Sequence, residues 1–363
     1  MCIGGAEASL LKLVMATQHI YRHHVFCLQS RGKWFVHSEI NGVSMEIIDL
    51  QNNPLRLAEL YLKVLGLVKH SESPVILHGW MIHANFLASL LHMVLPNTRL
   101  VWCNRASSFR HEDFPLISLL LETINRKLLI RFPSVVISNC SGEARRYRAA
   151  QASLWIPNGF SPSSHLRLRG PAKMERLLGR LKRPVIAMVA RWHPQKDHVT
   201  CLRSLEIVRR FGWRGQAILA GPGIHKKNRV LQGLLQSFGL KKHVFPLGTK
   251  LSPSRIYQAA DLLVLSSRSG EGFPNVLAEA MLYGVPCVTT DIGDSGVIVG
   301  SLGRVCRPES PPDLARGILE VLAGPRGKNS QRGKDCRDRI QSTFPMGKML
   351  QGFIKAWEKA VVA

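Results

Sequence analysis

Residues 261–290 read DLLVLSSRSGEGFPNVLAEAMLYGVPCVTT, in which two short apolar runs enclose a glycine-containing loop and a helical segment. The first run predicts a strand, RSGEGFP its exit loop, NVLAEAMLYG a helix, and the second run another strand. Apolar strands joined by a helix are typical of a βαβ unit in a parallel sheet that is buried on both faces. This stretch therefore predicts an α/β fold.

The same alternation recurs on both sides of a basic segment, residues 161–183. The predicted strands are 74–80, 99–104 and 134–139 before it, and 184–190, 216–221, 243–248, 261–267 and 285–290 after it. We therefore predict two Rossmann-like domains, 1–160 and 161–343, followed by an amphipathic helix at 344–363. Ligands of such sheets bind beyond the carboxyl ends of the strands, so the loops there are the candidate site.

The charge of the chain is strongly positive and uneven. Its 363 residues carry a formal charge of +25. Residues 1–160 hold 16 Lys and Arg against 10 Asp and Glu, whereas residues 161–363 hold 33 against 14. This balance favours an anionic partner, such as a phosphorylated ligand, an anionic membrane or nucleic acid, or else a basic solvated surface. No nucleic acid is expected, because the sequence has no RNP, zinc-finger or helix-turn-helix signature.

Cysteine usage and hydropathy indicate the compartment. The eight cysteines are scattered singly without a CxxC pair, which predicts reduced thiols and no zinc site. No apolar stretch has the length of a membrane span, and the first twenty residues lack a secretory pattern. We therefore expect a cytoplasmic protein.

The loop and helix of the opening stretch predict a phosphate site. Asn275 is the expected N-cap of the helix, and Gly284 its end. A helix N-terminus offers free N–H groups to a phosphate, and Gly270 and Gly272 allow the backbone to approach it closely. Carboxylates repel phosphate, so Glu271 and Glu279 make sense as acceptors for hydroxyl groups on either side of it. A nucleotide sugar has that layout of ribose, diphosphate and sugar.

Cations for the diphosphate follow the preceding strands. Arg191 and Lys196 lie in ARWHPQK after strand 184–190, and Gly221 and Gly223 lie in GPGIHKK after strand 216–221. Arginine binds phosphate bidentately and lysine binds it as a point charge. Each short motif is weak alone, but their order after successive strands predicts one shared site.

On these residues the chain resembles retaining glycosyltransferases of the GT-B fold, in the large family with an E-x7-E motif that includes bacterial lipopolysaccharide and polysaccharide sugar transferases. EGFPNVLAEAM carries the motif as Glu271 and Glu279, and ARWHPQK carries the diphosphate-binding pair. WIPNGF (155–160) matches the segment that closes the first domain. In the first half the resemblance rests on GGAEASLLKLV, HGWMIHANFLASLL and ISNCSGEARRY.

The resemblance implies two Rossmann-like domains with parallel sheets facing a central cleft, and a C-terminal helix that crosses back to the first domain. It implies sugar transfer from a nucleotide sugar to a glycan or lipid-linked acceptor, with retention of configuration and with the leaving phosphate as base. The implied catalytic residues are Glu271, Arg191, Lys196 and His83. The implied donor-binding residues are Glu279, Gly272, Phe273, Pro274, Asn275, Gly221, Gly223, Gly4 and Gly5.

The implied setting is cell-surface polysaccharide or lipopolysaccharide synthesis, in the cytoplasm or on the inner face of the membrane. The donor is expected to be UDP- or GDP-linked, and no further cofactor is expected. No Asp-x-Asp motif is present, so we expect no metal. Residues 167–183, or the stretch 115–132, could contact an anionic membrane; for 115–132, an ordinary domain helix with one buried face is the favoured interpretation.

The chain departs from the family pattern in two places. The family has a full strand before GGAE, whereas Met1, Cys2 and Ile3 alone precede it here; we favour a start assigned too late over a missing strand. In VWCNRASS (101–108), Ala106 stands where related enzymes carry a histidine beside the donor sugar. The role of that histidine could be taken by a backbone carbonyl of the loop, by His111 or by His83; otherwise catalysis is impaired. Of the two histidines His83 is the better candidate, although a purely structural role for it in its helix is an equal alternative.

Two other functions stay open at this point. An inactive or truncated homologue would bind nucleotide without transfer. A GT-B sugar-nucleotide 2-epimerase would act on the donor alone, but that class carries different acids.

Overall fold

The computed structural model describes residues 5–29, 43–50, 52–107, 110, 112–127, 129–161, 172–324 and 328–362. The strands are β1 (His23–Cys27), β2 (Val43–Ile47), β3 (Val75–Trp80), β4 (Thr98–Asn104), β5 (Val135–Ser138), β6 (Ser153–Trp155), β7 (Val185–Val189), β8 (Gln216–Ala220), β9 (Val244–Gly248), β10 (Leu262–Leu265), β11 (Cys287–Thr290) and β12 (Arg304–Cys306). The helices are α1 (Gly5–Thr17), α2 (Arg56–Lys69), α3 (Ile82–Val94), α4 (Leu116–Lys127), α5 (Ser141–Arg146), α6 (Ala172–Gly179), α7 (His198–Arg210), α8 (Arg229–Ser237), α9 (Pro253–Ala259), α10 (Asn275–Leu282), α11 (Ser295–Val299), α12 (Pro311–Ala323), α13 (Gln331–Thr343) and α14 (Met346–Val362). The predicted α/β fold with parallel sheets is confirmed.

The second half of the chain contains a six-stranded parallel sheet. Its order is β12-β11-β10-β7-β8-β9, so the strand order reverses between β7 and β10. These two strands are direct neighbours, with Leu262 opposite Ile186. In such sheets the crevice at the reversal is where ligands bind. The loops that leave β7 and β10 contain the Arg191, Lys196 and Glu271 predicted for the site.

Alternation along the strands of this sheet explains why both faces are covered. In β10, Leu263 and Leu265 belong to one buried cluster, whereas Leu262 and Val264 belong to the cluster on the other face. All four are at most 1% exposed. Full burial of an apolar side chain of this size stabilises the fold by about 1.5–3 kcal/mol. Continuous apolar runs, as predicted, therefore stabilise both layers.

The first half contains two smaller parallel sheets. One has the order β3-β4-β5-β6 and the other pairs β1 with β2; within the described residues these two sheets are not hydrogen-bonded to each other. Strands β4 and β5 are almost wholly buried, but β3 is mostly half-buried. Residues 1–4 lie outside the described ranges, so the expectation that a strand precedes Gly4 stays a prediction.

The last helix returns to the first half. At the crossing, the Phe160 amide donates to the Phe344 carbonyl and the Met346 amide to the Phe160 carbonyl, both at 2.9 Å. Helix α14 then packs on β3, β4 and β5, with Phe353 fully buried and Trp357 6% exposed. The proposed domain boundaries after residues 160 and 343 stay predictions.

Within the described residues, no helix is both long and apolar enough to cross a bilayer. Over the same ranges, no group of His, Cys, Asp and Glu side chains is arranged to hold a metal ion. The expectations of a metal-free reaction and of no cofactor stay predictions.

Candidate active site

The loop between β10 and α10 is held by glycines that have no room for a side chain. Gly270 has a φ of +71°, and a Cβ there would lie 2.6 Å from the Phe114 ring. A Cβ on Gly272 would lie 2.8 Å from the Arg105 carbonyl oxygen, in the first half of the chain. The loop is therefore pressed against the first half. The close approach of these glycines to a phosphate stays a prediction.

Glu271 and Lys196 meet in this loop. The Lys196 ammonium forms an ion pair with the Glu271 carboxylate, and the Ser267 hydroxyl donates to the same carboxylate oxygen at 2.5 Å. Both are largely buried, with side chains 9% and 17% exposed for Glu271 and Lys196. The structure thus brings together two residues that lie 75 positions apart in sequence.

Arg191 lies on the neighbouring loop but does not join this pair. Its guanidinium is exposed and donates to the Gln195 side chain at 2.9 Å. The buried Gln195 also supports the β10 loop, because the Arg268 amide donates to its carbonyl at 2.9 Å. Arg191 is therefore positioned at the mouth of the site, with Lys196 deeper.

Close packing against the loop after β7 explains why glycines follow β8. Gly221 and Gly223 have φ values of +140° and +78°. A Cβ on Gly223 would lie 2.7 Å from the Trp192 Cβ, and the Trp192 amide donates to the Pro222 carbonyl at 2.8 Å. These contacts press the β8 loop onto the β7 loop. The contact of Gly221 and Gly223 with the donor stays a prediction.

Helix α10 begins one residue earlier than an N-cap at Asn275 requires. Pro274 is the N-cap and Asn275 the first helical residue. The prediction was wrong because the Asn275 side chain turns to the first half instead: it accepts from the Asn158 amide at 2.5 Å, and its Nδ2 lies 3.5 Å from the Gly5 carbonyl. The predicted end at Gly284 is confirmed, with a φ of +71° and its amide donating to the Met281 carbonyl at 2.8 Å.

Glu279 lies one turn into α10 and is half-buried. The Tyr257 hydroxyl donates to its carboxylate at 2.8 Å. Burial raises the pKa of Glu279 above its ordinary value of 4.5, against the opposing effects of the Tyr257 hydrogen bond and the Lys12 ammonium on α1. A carboxylate fixed in this way can accept hydrogen bonds from a ligand while Lys12 faces it from the first half.

The remaining predicted residues fall in different surroundings. Phe273 is 4% exposed and its ring packs against Phe160 and Phe344, so its side chain belongs to the core. His83 is exposed in the first turn of α3, next to Ile82, which lines a small cavity with Ala106. Partial desolvation lowers the pKa of His83. Gly4 and His111 lie outside the described residues.

The loop that carries Ala106 does contact the β10 loop. The hydroxyl of Ser107, the next residue, donates to the Glu271 carbonyl. The loop of Ala106 therefore lies against the loop of Glu271. The position of Ala106 beside the donor sugar stays a prediction. Ser107 itself was missed, although it stands within the stretch VWCNRASS that drew attention to Ala106.

A second set of contacts across the cleft was also missed by sequence reasoning. Asp294, 1% exposed, accepts from the Ser141 amide at 3.0 Å, from the Ser141 hydroxyl at 2.8 Å and from the Trp155 indole at 2.9 Å. The sequence signal that could have identified Asp294 is its position in TTDIGDSG, in the loop that follows β11.

The third connection is an ion pair. Asp113 accepts from Arg268 at 2.6 Å and from the Ser269 hydroxyl, two residues before Glu271. No motif marks this pair, because its partners lie 155 positions apart.

Comparisons with known proteins agree with this architecture. Residues 183–324 match the family model described as Glycosyl transferases group 1. An exopolysaccharide phosphotransferase of Streptomyces coelicolor is 31% identical over 172 residues, which cover 46% of this chain and 16% of that protein. EpsF of Bacillus subtilis, named as a glycosyltransferase, is 30% identical over 197 residues, which cover 53% of this chain and 45% of that protein. The matches thus span less than half the length of these curated relatives.

The fold comparison extends over nearly the whole chain. The structure of the Anabaena protein HepE in complex with UDP-glucose superposes with a TM-score of 0.78 at 19% sequence identity, covering 98% of this chain and 96% of that one. The chain therefore has the GT-B fold, and within it residues 183–324 match the model of the group 1 glycosyl transferases.

Proposed function

We propose that the protein transfers a sugar from a nucleoside-diphosphate sugar to a glycan or lipid-linked acceptor, with retention of configuration and without a metal. The observation that carries the proposal is the pairing of Lys196 with Glu271 at the β7–β10 reversal. There a cation from the loop after β7 meets a carboxylate in the loop after β10, and that second loop leads into the N-terminus of α10. These are the groups that a sugar diphosphate requires.

Each part of the donor has a candidate partner. The diphosphate would lie against the N-terminus of α10, with Lys196 and Arg191 supplying positive charge. Glu271 would accept hydrogen bonds from the sugar hydroxyls. These hydrogen bonds would replace part of its present contact with Lys196. Glu279, held by Tyr257, would accept from the ribose hydroxyls. Asn275, Gly5 and the glycine loops would close the site around the phosphates.

In the reaction, the bond between the sugar's anomeric carbon and the phosphate oxygen breaks, and its electrons stay on the diphosphate. The acceptor oxygen bonds to the same face of the sugar and gives its proton to the leaving phosphate oxygen. The negative charge that develops on the diphosphate is stabilised by Lys196, Arg191 and the α10 amides. His83 and the backbone beside Ala106 are the candidates for contact near the reacting carbon.

The setting follows from the relatives. One of them is named for exopolysaccharide, and HepE was solved with UDP-glucose. We therefore propose a UDP- or GDP-linked donor, and a role in cell-surface polysaccharide or lipopolysaccharide synthesis on the inner face of the cytoplasmic membrane. Nucleic acid is not a proposed partner.

The test is a transfer assay with UDP- and GDP-linked sugars and a membrane extract as acceptor source, run with and without a chelator. The expected product keeps the anomeric configuration of the donor, as read by NMR, and the chelator has no effect. Inversion would contradict the retaining mechanism, and loss of activity with the chelator would contradict metal independence.

The same assay separates the two alternatives. Ala106, in a loop that contacts Glu271, favours an inactive homologue as the second candidate. Nucleotide binding with neither transfer nor hydrolysis would support that candidate. Conversion of the free sugar nucleotide to its epimer, with no acceptor consumed, would support a GT-B epimerase.

A further inference from the structure

A small cavity lies at the carboxyl ends of β3 and β4, between these strand ends and the helices α3, α4 and α5. It encloses about 220 Å³ and is partly open to solvent. Sites for drug-sized ligands enclose roughly 300–1,000 Å³, so this cavity suits a smaller ligand. Four of the residues that line it are polar and uncommitted to the donor site: Asn104, Glu122, Glu143 and Tyr147.

Asn104 offers this cavity a hydrogen-bond donor. Its side chain is 6% exposed, and its Nδ2 has no hydrogen-bond partner among the described residues. The neighbouring contacts fix which atom is left over. The Cys103 amide donates to Asn85 Oδ1 at 3.2 Å, and Asn85 Nδ2 donates to Asn104 Oδ1 at 2.7 Å. Because a buried donor without a partner costs free energy, the free Nδ2 indicates a place for a ligand.

The charge of the cavity comes from its glutamates, although Arg105 also lines it. Successive side chains along a strand point to opposite faces of the sheet. Asn104 therefore shares a face with Trp102, whose ring packs edge-on against Tyr147 at a centroid distance of 6.3 Å. The Arg105 guanidinium lies on the other face, 4.5 Å from the centroid of the Trp80 ring.

Glu122 offers the cavity an acceptor. The Tyr147 hydroxyl donates to Glu122 Oε1 at 2.8 Å. Burial, and next the charge of Glu122, raises the pKa of Tyr147, so this hydroxyl stays protonated. Glu143 is buried and pairs with Arg146 at 3.0 Å, whereas Glu122 is half-buried and forms no ion pair with a described residue. The second carboxylate oxygen of Glu122, Oε2, is therefore left for a ligand.

The cavity adjoins the candidate active site. Ala106 is one of its lining residues, and the hydroxyl of the next residue, Ser107, donates to the Glu271 carbonyl. Ile82 also lines the cavity, one residue before His83. A ligand in the cavity would therefore lie beside the groups to which the proposed function assigns contact near the reacting carbon.

We propose that this cavity binds the terminal sugar of the acceptor through its hydroxyl groups, and that this sugar is uncharged. A hydroxyl can donate to Glu122 Oε2 and accept from Asn104 Nδ2, while Met81 and Ile82 line the cavity for the C–H face of the ring. The two carboxylates would repel an anionic group there. The inference rests on the proposed function, because a sugar held beside Ala106 would present a hydroxyl group to the donor.

The test is saturation-transfer difference NMR of the full chain with the methyl glycosides of glucose, galactose, mannose and N-acetylglucosamine, titrated to give a Kd. Glu122→Gln keeps an oxygen for Tyr147 and turns the free acceptor into an NH₂ donor. Asn104→Asp keeps an oxygen for Asn85 and replaces the free donor with an acceptor. Glu72→Gln is the matched control, because Glu72 is an exposed glutamate in the loop between α2 and β3.

We expect wild type and Glu72→Gln to bind at least one glycoside with the same Kd, and each cavity variant to bind it about tenfold or more weakly, because one hydrogen bond is then reversed. Asn104→Asp adds a buried charge, so Glu122→Gln alone decides the test if that variant does not fold. The absence of binding by every glycoside would overturn the proposal, as would equal binding by Glu122→Gln and Glu72→Gln.

Three further measurements separate the cavity from the donor site. A signal that is lost in Glu271→Gln but kept in Glu122→Gln would place the sugar at the donor site and overturn the proposal. Methyl glucuronoside carries a carboxylate and should bind more weakly than methyl glucoside; equal or tighter binding would contradict an uncharged sugar. UDP and GDP should bind the cavity variants as they bind wild type. Glycoside binding that depends on Glu122, without any nucleotide binding, would leave the cavity standing as a sugar site and contradict the proposed function instead.

Discussion

The two sides of the cleft contribute to the site in different ways. On the side of the six-stranded sheet, Lys196, Glu271 and Glu279 lie in loops and helix starts that follow strands directly. On the side of the four-stranded sheet, the contacting groups include the Ser107 hydroxyl and the Asn158 amide, whose partners Glu271 and Asn275 lie 164 and 117 positions away in sequence. On the side of the six-stranded sheet, short local stretches of sequence place the site residues. On the side of the four-stranded sheet, contacts between residues far apart in sequence place them. The first should therefore govern donor chemistry, and the second should govern how the halves are held together.

Lys196→Ala should have the largest effect. It removes the cation paired with Glu271, and loss of one such group typically lowers kcat about 10²–10³-fold. Donor affinity should also fall, with the fold intact by circular dichroism. Lys241→Ala is the matched control, because Lys241 is an exposed lysine that donates to Gln236 at 2.9 Å. Equal kinetics for the two variants would remove Lys196 from the donor side.

Asp294→Ala tests the connection between the two halves. It leaves the Ser141 amide and the Trp155 indole without their acceptor, which should lower the free energy of unfolding by about 1.5–3 kcal/mol in urea titrations. The neighbouring Asp291 is exposed, so Asp291→Ala is the control. If both variants were equally stable, the contacts of Asp294 would have no role in holding the halves together.

Ser107→Ala should have a smaller effect on the donor loop. The substitution removes one neutral hydrogen bond to the Glu271 carbonyl, worth about 1 kcal/mol, or about fivefold in the donor Kd. Ser342→Ala serves for comparison, since that exposed hydroxyl bonds within its own helix. A change larger than that of Lys196→Ala would reverse the proposed division between the two sides.

The pH dependence of stability should separate Glu279 from the other acids. Its folded pKa is raised above 4.5, so the folded protein retains a proton that the unfolded chain has released. The stabilisation that this retained proton provides is therefore fully present below the unfolded-state pKa of 4.5, and it is lost as the pH rises through the higher pKa of the folded state. Glu279→Gln cannot titrate.

Unfolding curves for wild type and Glu279→Gln, measured from about pH 4 to about pH 7, test this sign. The stability of wild type relative to the variant should decrease as the pH rises. An increase would mean that the folded pKa of Glu279 lies below its ordinary value, in which case Lys12 and Tyr257 would outweigh burial.

Local signals explain what could be predicted from sequence. Apolar runs of six or seven residues located β3, β4, β5 and β7 to β11, whereas β1, β2 and the three-residue strands β6 and β12 were not predicted. The positive φ of Gly284 ends α10 where its sequence predicts. A shared site for Lys196 and Glu271 could be predicted because both loops follow strands of one parallel sheet, but the ion pair between the two residues was not predicted. These features depend on short stretches and on one topological rule.

Contacts between the halves could not be predicted in this way. Asp113 meets Arg268 across 155 positions, and Asp294 meets Ser141 across 153. No periodicity encodes such pairs. The same limit explains the N-cap assignment of Asn275, whose side chain accepts a hydrogen bond from Asn158. Helix α4 buries one face against α3 as expected, with Asn125 1% exposed, while Leu116, Ile117 and Leu120 are exposed.

The most direct test of the donor site is calorimetric titration with UDP, GDP, ADP and their common sugars, at moderate and high salt, on wild type and Glu279→Ala. We predict that one base binds, that binding survives high salt because it depends on specific hydrogen bonds, and that it is lost in the variant. Binding that is equal for all bases, that disappears with salt or that is unchanged in Glu279→Ala would contradict the assignment of the site.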